Sequence, residues 1–292
     1  MDYALQQAIN ALQLGSIYAL IALGYSLVYG VLGMINFAHG DVFMLGAFAC
    51  FVLVMWIPLP LVVVLPAVMV ITGLAGMLIE RVAYRPLRRA PKVSAIITAL
   101  GCGLVIANAV NSLSPYSQSM PRLLEDETHT LFGEVKVSSL QILITGVAVG
   151  LMVGLDFVVR KTRFGMAMRA IAQDRATVAL MGVPVNRIIA LTFGIGASLG
   201  GAAGVLYGLA YPVIAAPMGV LVGWKAFVAA VIGGIGNVRG AMLGGYLIGA
   251  VEVTTVAVLP STYRDLIAYS LLLVILIFKP HGLLGRPVNQ KV

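Results

Sequence analysis

Charge is what this chain has least of. Only 10% of its 292 residues are Asp, Glu, Lys or Arg, while 60% are hydrophobic and mean hydropathy is +1.01. A soluble domain carries roughly a quarter charged residues, so this sequence cannot dress a globule for water and reads as an integral membrane protein. Cysteine is scarce as well. Cys50 and Cys102 both sit in apolar context, which argues against a disulfide framework and leaves two buried thiols. The hydrophobic stretches lack the strict apolar–polar alternation of an outer-membrane barrel, and helices are the other way to satisfy a backbone inside lipid. The net charge of +8 does not point to nucleic acid, because the basic residues lie in loops without a basic face interleaved with aromatics. No G-x-x-x-x-G-K-S/T occurs, so the chain binds no nucleotide by a P-loop. No string of intramembrane acids and histidines lays out a proton relay. No nucleophile–base pair stands at usable spacing, so no catalysis and no cofactor are expected. Residues 1–10 lack a basic n-region, and no cleavable signal peptide is expected.

What is present is a succession of apolar runs, at about 5–33, 41–57, 60–80, 93–113, 140–159, 188–211, 220–235, 240–259 and 265–279. They predict an all-α bundle of eight or nine transmembrane helices in one domain over 1–292. The uncertain one is 41–57, short enough to be a broken or re-entrant half-helix. Basic residues mark the cytoplasmic loops of such proteins. Residues 80–92 hold five basic residues and one acid; 160–187 hold six and one; the tail from Lys279 holds three and none. Residues 114–139 hold four acids and two bases. The first three segments are therefore expected in the cytoplasm with the C-terminus, and the 114–139 loop outside with the N-terminus.

Several polar positions stand out against this apolar background. Asp41, Asp156, Lys225 and Glu252 are the ionisable residues within or beside spans, each costing roughly 2.5–3.5 kcal/mol at mid-membrane. Asp156, close to Arg160 and Lys161, reads as an interfacial charge. Lys225, near the outer end of its span, reads either as a lysine snorkelling to the outer surface or as a functional charge. Glu252 reads either as a carboxylate on a translocation path or as a paired structural one. In Gly33–Gly40, Asn36 and His39 are three apart and would share a helix face. They either border a polar solute's path at a broken helix or form a plain loop with Asn36 as a cap. His39 has only Asp41 near it, so no metal site is expected. Asn237 and Arg239 recur in an IGNVRG segment that weakly echoes INFAHG. Gly196, Gly200, Gly204 and Gly208 recur every four residues and predict a close helix-packing face. Gly146, Gly150 and Gly154 repeat the pattern, as do Gly236, Gly240 and Gly244. The basic loop 160–187 predicts a helix opening after Gly165 and stopping at Gly182-Val-Pro184, a docking element for a soluble partner.

Four of these segments stand in a particular order: GMINFAHG with the MLGA that follows it, RAIAQDRATVALMGV (Arg169 to Val183), GGIGNVRGAMLGG (Gly233 to Gly245) and FKPHGLLG (Phe278 to Gly285). Together they resemble the permeases of branched-chain amino acid ABC importers, specifically the shorter of the two membrane subunits, and the likeness spans nearly the whole chain. The resemblance implies a multi-pass permease of a bacterial inner membrane that takes part in amino-acid transport. Its implied partners are a second, longer permease, two cytoplasmic ATP-binding subunits and an external solute-binding protein. By position, Arg169, Asp174, Arg175 and Gly182 fall in the segment that resembles the coupling loop. That loop begins Glu-Ala-Ala in the wider superfamily, where this chain has Ala176-Thr-Val. Asn36, His39 and Glu252 are the candidates for the translocation path. Related permeases serve urea or small aromatic acids, and a stand-alone channel or facilitator for a small neutral solute is the reading from another class.

Overall fold

The chain, as a computed structural model, is described over residues 2–88, 90–130 and 135–285. Arg89, Glu134, Arg286 and Lys291, which entered the loop and tail charges above, lie outside the described residues. Long apolar helices dominate: α1 (Asp2–Leu32), α2 (His39–Trp56), α3 (Leu61–Ile79), α5 (Lys92–Leu113), α6 (Ser139–Lys161), α9 (Val185–Ala210) and α11 (Val238–Val258). A π-helical turn, Glu80–Tyr84, and the single turn α4 (Arg85–Leu87) prolong α3. Two shorter helices, α10 (Met218–Gly233) and α12 (Tyr263–Phe278), complete the set that matches the nine apolar runs. The 160–187 loop holds α7 (Arg163–Gln173) and α8 (Arg175–Leu180).

The 41–57 run, open to reading as a half-helix, forms a full one. α2 is one unbroken helix of 18 residues, about 27 Å at 1.5 Å per residue. α10 is shorter, with 16 residues. It is preceded by β4 (Val213–Ile214), which pairs antiparallel with β1 (Gln118–Ser119). A second small ribbon pairs β2 (Thr128–Thr130) with β3 (Lys136–Ser138).

α1 runs through the centre. From Leu14 to Leu32 every residue except Tyr29 and Gly30 is buried, enclosed chiefly by α11, α9 and α10. Small residues make this possible, since apolar helices in lipid gain little from hydrophobicity and associate through close backbone approach. A Cβ on Gly245 or Gly249 of α11 would run into the α1 backbone at Ala19 and Gly15. On α9, a Cβ at Gly196 would come within 3.2 Å of the Gly24 carbonyl, and one at Gly204 would overlap the Phe43 carbonyl of α2. Gly200 faces His39, and Gly208 faces Met120 of the polar loop. Gly240 and Gly244 abut Gly233 and Ala229, while Gly236 is a turn glycine ahead of α11. The α6 stripe departs from the pattern: Gly146, Gly150 and Gly154 face open space, with nothing within 4 Å of a Cβ.

Charge sorts to the two ends. At one end Arg88 bonds Asn186 at 2.6 Å, Arg175 bonds the Leu32 carbonyl at 2.6 Å, Arg239 meets Asp156 at 3.3 Å and Asn237 bonds the Leu284 carbonyl at 2.7 Å. At the other end Gln6 accepts from the Lys136 amide at 2.9 Å, and Gln141 donates to Asn10 at 3.0 Å. The basic segments thus gather opposite the N-terminus and the 114–139 loop.

Candidate functional site

Three clusters carry the polar residues of the bundle. The first begins where α1 stops. Gly33 takes φ +65, and its amide bonds the Tyr29 carbonyl at 2.7 Å, a left-handed helix end that glycine adopts without strain. The chain then runs through Asn36 to open α2 at His39. Asn36 is therefore ahead of the helix rather than on a shared face with His39, and it caps nothing: α2 has no side-chain cap. Its carbonyl accepts the His39 amide at 3.1 Å, and its side-chain oxygen lies 3.3 Å from the Tyr84 hydroxyl. The His39 ring is buried, edge-on to Tyr25 at 4.8 Å. It fits only because its neighbours are glycines, for a Cβ at Gly24 would overlap the ring and one at Gly200 would lie 3.0 Å from it. Asp41, two residues on and so about 200° around α2, turns away from His39 toward Gly103 of α5 and Gly219 of α10.

The second cluster lies toward the N-terminal end of the bundle. Glu252 is buried on α11 and accepts from the Tyr18 hydroxyl at 2.7 Å, Lys225 at 3.1 Å and Arg264 at 2.9 Å. Lys225 also meets Asp265 at 2.7 Å. The snorkelling reading of Lys225 is overturned: the residue is 6% exposed, and its ammonium turns inward because two carboxylates there replace the water it would otherwise seek. Two cations and two anions make the network neutral, which is how ionised groups persist away from water. Glu252 is thus a paired carboxylate, and it also lines two neighbouring cavities of about 280 and 450 Å³ together with Tyr211 and Arg264. α10 separates these cavities from the Asp41 cluster, since Leu221, Val222 and Lys225 face one side and Val220, Gly223 and Trp224 the other.

The third cluster is the basic loop. Its helix opens at Arg163 rather than after Gly165, with Thr162 accepting the Gly165 amide at 3.1 Å as N-cap. It also breaks in two, because Asp174 leaves helical geometry and caps α8, accepting from the amides of Ala176 at 2.9 Å and Thr177 at 3.2 Å. Gly182 follows α8 with φ +79, a conformation that side chains with a Cβ avoid. Arg169 reaches back to the Val159 carbonyl. Arg175 donates to the Val31 and Leu32 carbonyls, the unpaired end of α1. Burial, and then the nearby Arg88 charge, hold the Arg175 pKa below the ordinary arginine value, a disadvantage the carbonyls offset. The tip of the loop is apolar and bare: Leu180 is 89% exposed and Met181 77%.

Sequence reasoning named Asp41 among the ionisable residues of the spans but gave it no role, and it left out Tyr18, Arg264 and Asp265. Asp41 carried a signal, as a carboxylate two residues from His39. Arg264 and Asp265 carried none, since they sit at a helix start where charge is ordinary. Asp156 lies between Arg160 at 2.8 Å and Arg239 at 3.3 Å, at the basic end.

A family model described as "Branched-chain amino acid transport system / permease component" matches residues 7–276. The chain is 44% identical to the high-affinity branched-chain amino acid transport system permease protein BraD of Pseudomonas aeruginosa, covering 99% of this chain and 98% of that one. It is 41% identical to the LivH permease of Escherichia coli and 40% identical to that of Salmonella typhimurium, again over 99% of this chain and 98% of each relative.

Proposed function

The chain belongs to the branched-chain amino acid transport permease family, and from that membership we propose that it is the shorter membrane subunit of an ATP-driven importer for branched-chain or similar neutral amino acids. The observation that carries this reading is likeness over the whole chain, loops included, to permeases so named. The basic end faces the cytoplasm by the positive-inside bias, which leaves the N-terminus and the 114–139 loop outside, toward a solute-binding protein. A second, longer permease completes the membrane pair, and two cytoplasmic ATPases supply the energy.

The 160–187 loop is the coupling element. Leu180 and Met181 present an apolar knob to the ATPase, with Asp174 fixing the start of α8 and Gly182 turning the chain away after it. Arg175 carries the motion inward, because it joins α8 to the end of the central helix α1. Arg169 is a positioning residue that holds α7 against the end of α6. On the other side, the cavities beside Glu252 receive the released amino acid, and Asn36 and His39 stand farther along the path. The four α9 glycines keep that path's walls packed.

Affinity purification of the tagged chain from mild-detergent extracts of native membranes, followed by mass spectrometry, tests the assembly. A second permease and two P-loop ATPases should copurify. Recovery of the chain alone, together with conductance of small neutral solutes by the purified chain, would replace this reading with a stand-alone facilitator.

A further inference from the structure

Asp41 is the third residue of α2, 7% exposed, and its Oδ1 has no hydrogen-bond partner among the described residues. Two other helices make room for the carboxylate. A Cβ on Gly103 of α5 would overlap Oδ2, and one on Gly219 of α10 would lie 3.0 Å from Oδ1. Gly103 stands midway along the 22-residue α5, about 17 Å from its start at 1.5 Å per residue, which is near the middle of a hydrocarbon layer of about 30 Å. A carboxylate at that depth is neutralised either by a proton or by a cation brought to it. Lys225 is already held by Glu252 and Asp265 on the far side of α10.

Beside the carboxylate three aromatic rings form a triangle: Phe37 to Trp224 is 5.7 Å, Phe37 to Phe227 is 5.6 Å and Trp224 to Phe227 is 5.9 Å between centroids. Carboxylate and rings line one cavity of about 140 Å³, about ten times what one water needs by such a measure. Leu100, Leu104 and Val220 form its apolar mouth, all three exposed on the flank between α5 and α10. A buried carboxylate next to aromatic faces favours an organic ammonium, drawn by charge and by the ring quadrupoles. A metal ion would need more ligands, and among the described residues no three His, Cys, Asp or Glu side chains gather to supply them.

We infer that Asp41, Phe37, Trp224 and Phe227 form a transient half-site for the α-ammonium group of the amino acid in transit, with the apolar mouth receiving its side chain. The inference rests on the importer reading. The flank where the cavity opens then faces the second permease, which closes the site.

The test uses the complete importer, with both permeases, the ATPases and the loaded binding protein, in proteoliposomes given radiolabelled L-leucine. Asp41→Asn should lower uptake about tenfold or more, and Asp41→Glu should recover most of it, because a charged partner is lost in the first and kept in the second. Uptake by Asp41→Asn at the wild-type rate would overturn the inference. So would failure of that variant to retain the second permease on size exclusion, which would assign the carboxylate to an intersubunit ion pair. A binding readout separates recognition from general damage. With Cys50 and Cys102 replaced by alanine, Val220→Cys should be protected from N-ethylmaleimide by leucine-loaded binding protein and a non-hydrolysable ATP analogue. That protection should vanish in the Asp41→Asn background; no protection with Asp41 intact would sink the half-site. If the wild-type complex shows no ATP-driven uptake, the importer reading itself has failed, a result distinct from any of these.

Discussion

Lys225 and Glu252 each stand in a place where charge is expensive, and each is stabilised by the other. Removing one partner of a buried pair strands the survivor, typically at about 3–5 kcal/mol. Glu252→Gln should therefore lower the thermal midpoint of the detergent-solubilised protein substantially, as should Lys225→Met. The double variant should lose less than the sum of the two, because Arg264 and Asp265 remain to pair with each other. Additive losses would show that the pair is not coupled. A paired Glu252 was one of two readings the sequence allowed, but its partners were not legible there. Lys225 lies 27 residues from Glu252, and only the packing of α10 against α11 and α12 joins them, so the local pattern suggested a lysine reaching for the surface. Asn36 shows the same limit, since a three-residue spacing says nothing about a helix that has not yet begun.

Elements obey a similar rule: spacing proposes a face, and the neighbouring helix decides whether it is used. The glycines of α9 and those of α6 share one period, yet a Cβ at Gly204 would overlap the Phe43 carbonyl while one at Gly150 meets nothing. Gly204→Leu should prevent a monodisperse product in fluorescence-detected size exclusion, because backbone cannot yield as a side chain can. Gly150→Leu in the same assay should elute as wild type. Equal behaviour of the two would contradict the packing described for α9. The loop helices offer a second case. Helix formers and a terminal glycine predict one helix from Gly165 to Gly182, and Asp174, a favoured N-cap, breaks it in two. Arg175→Ala removes the donors that join α8 to the end of α1 and should reduce leucine moved per ATP hydrolysed severalfold, with hydrolysis itself retained. An unchanged ratio would place the coupling elsewhere. Gly182→Val, forced into positive φ, should depress both uptake and leucine-stimulated hydrolysis, while the binding protein's affinity for leucine stays as it was.

At the scale of the whole molecule, the sequence was most informative where physics is least specific. Nine apolar runs became nine helices among the described residues, because lipid demands long apolar stretches whatever their packing. Basic and acidic loops parted to opposite ends for a comparably general reason. The central position of α1 and the short α10 with a cavity on either side were not legible, being set by contacts between distant segments. These features describe a multi-pass membrane protein with a bare apolar tip at its basic end. The most direct measurement of the transport assignment is L-leucine uptake into proteoliposomes, comparing the purified chain alone with the chain joined to its second permease, ATPases and binding protein. Accumulation that requires the full set and ATP is the predicted result; equilibration of leucine by the chain alone, without ATP, would contradict it.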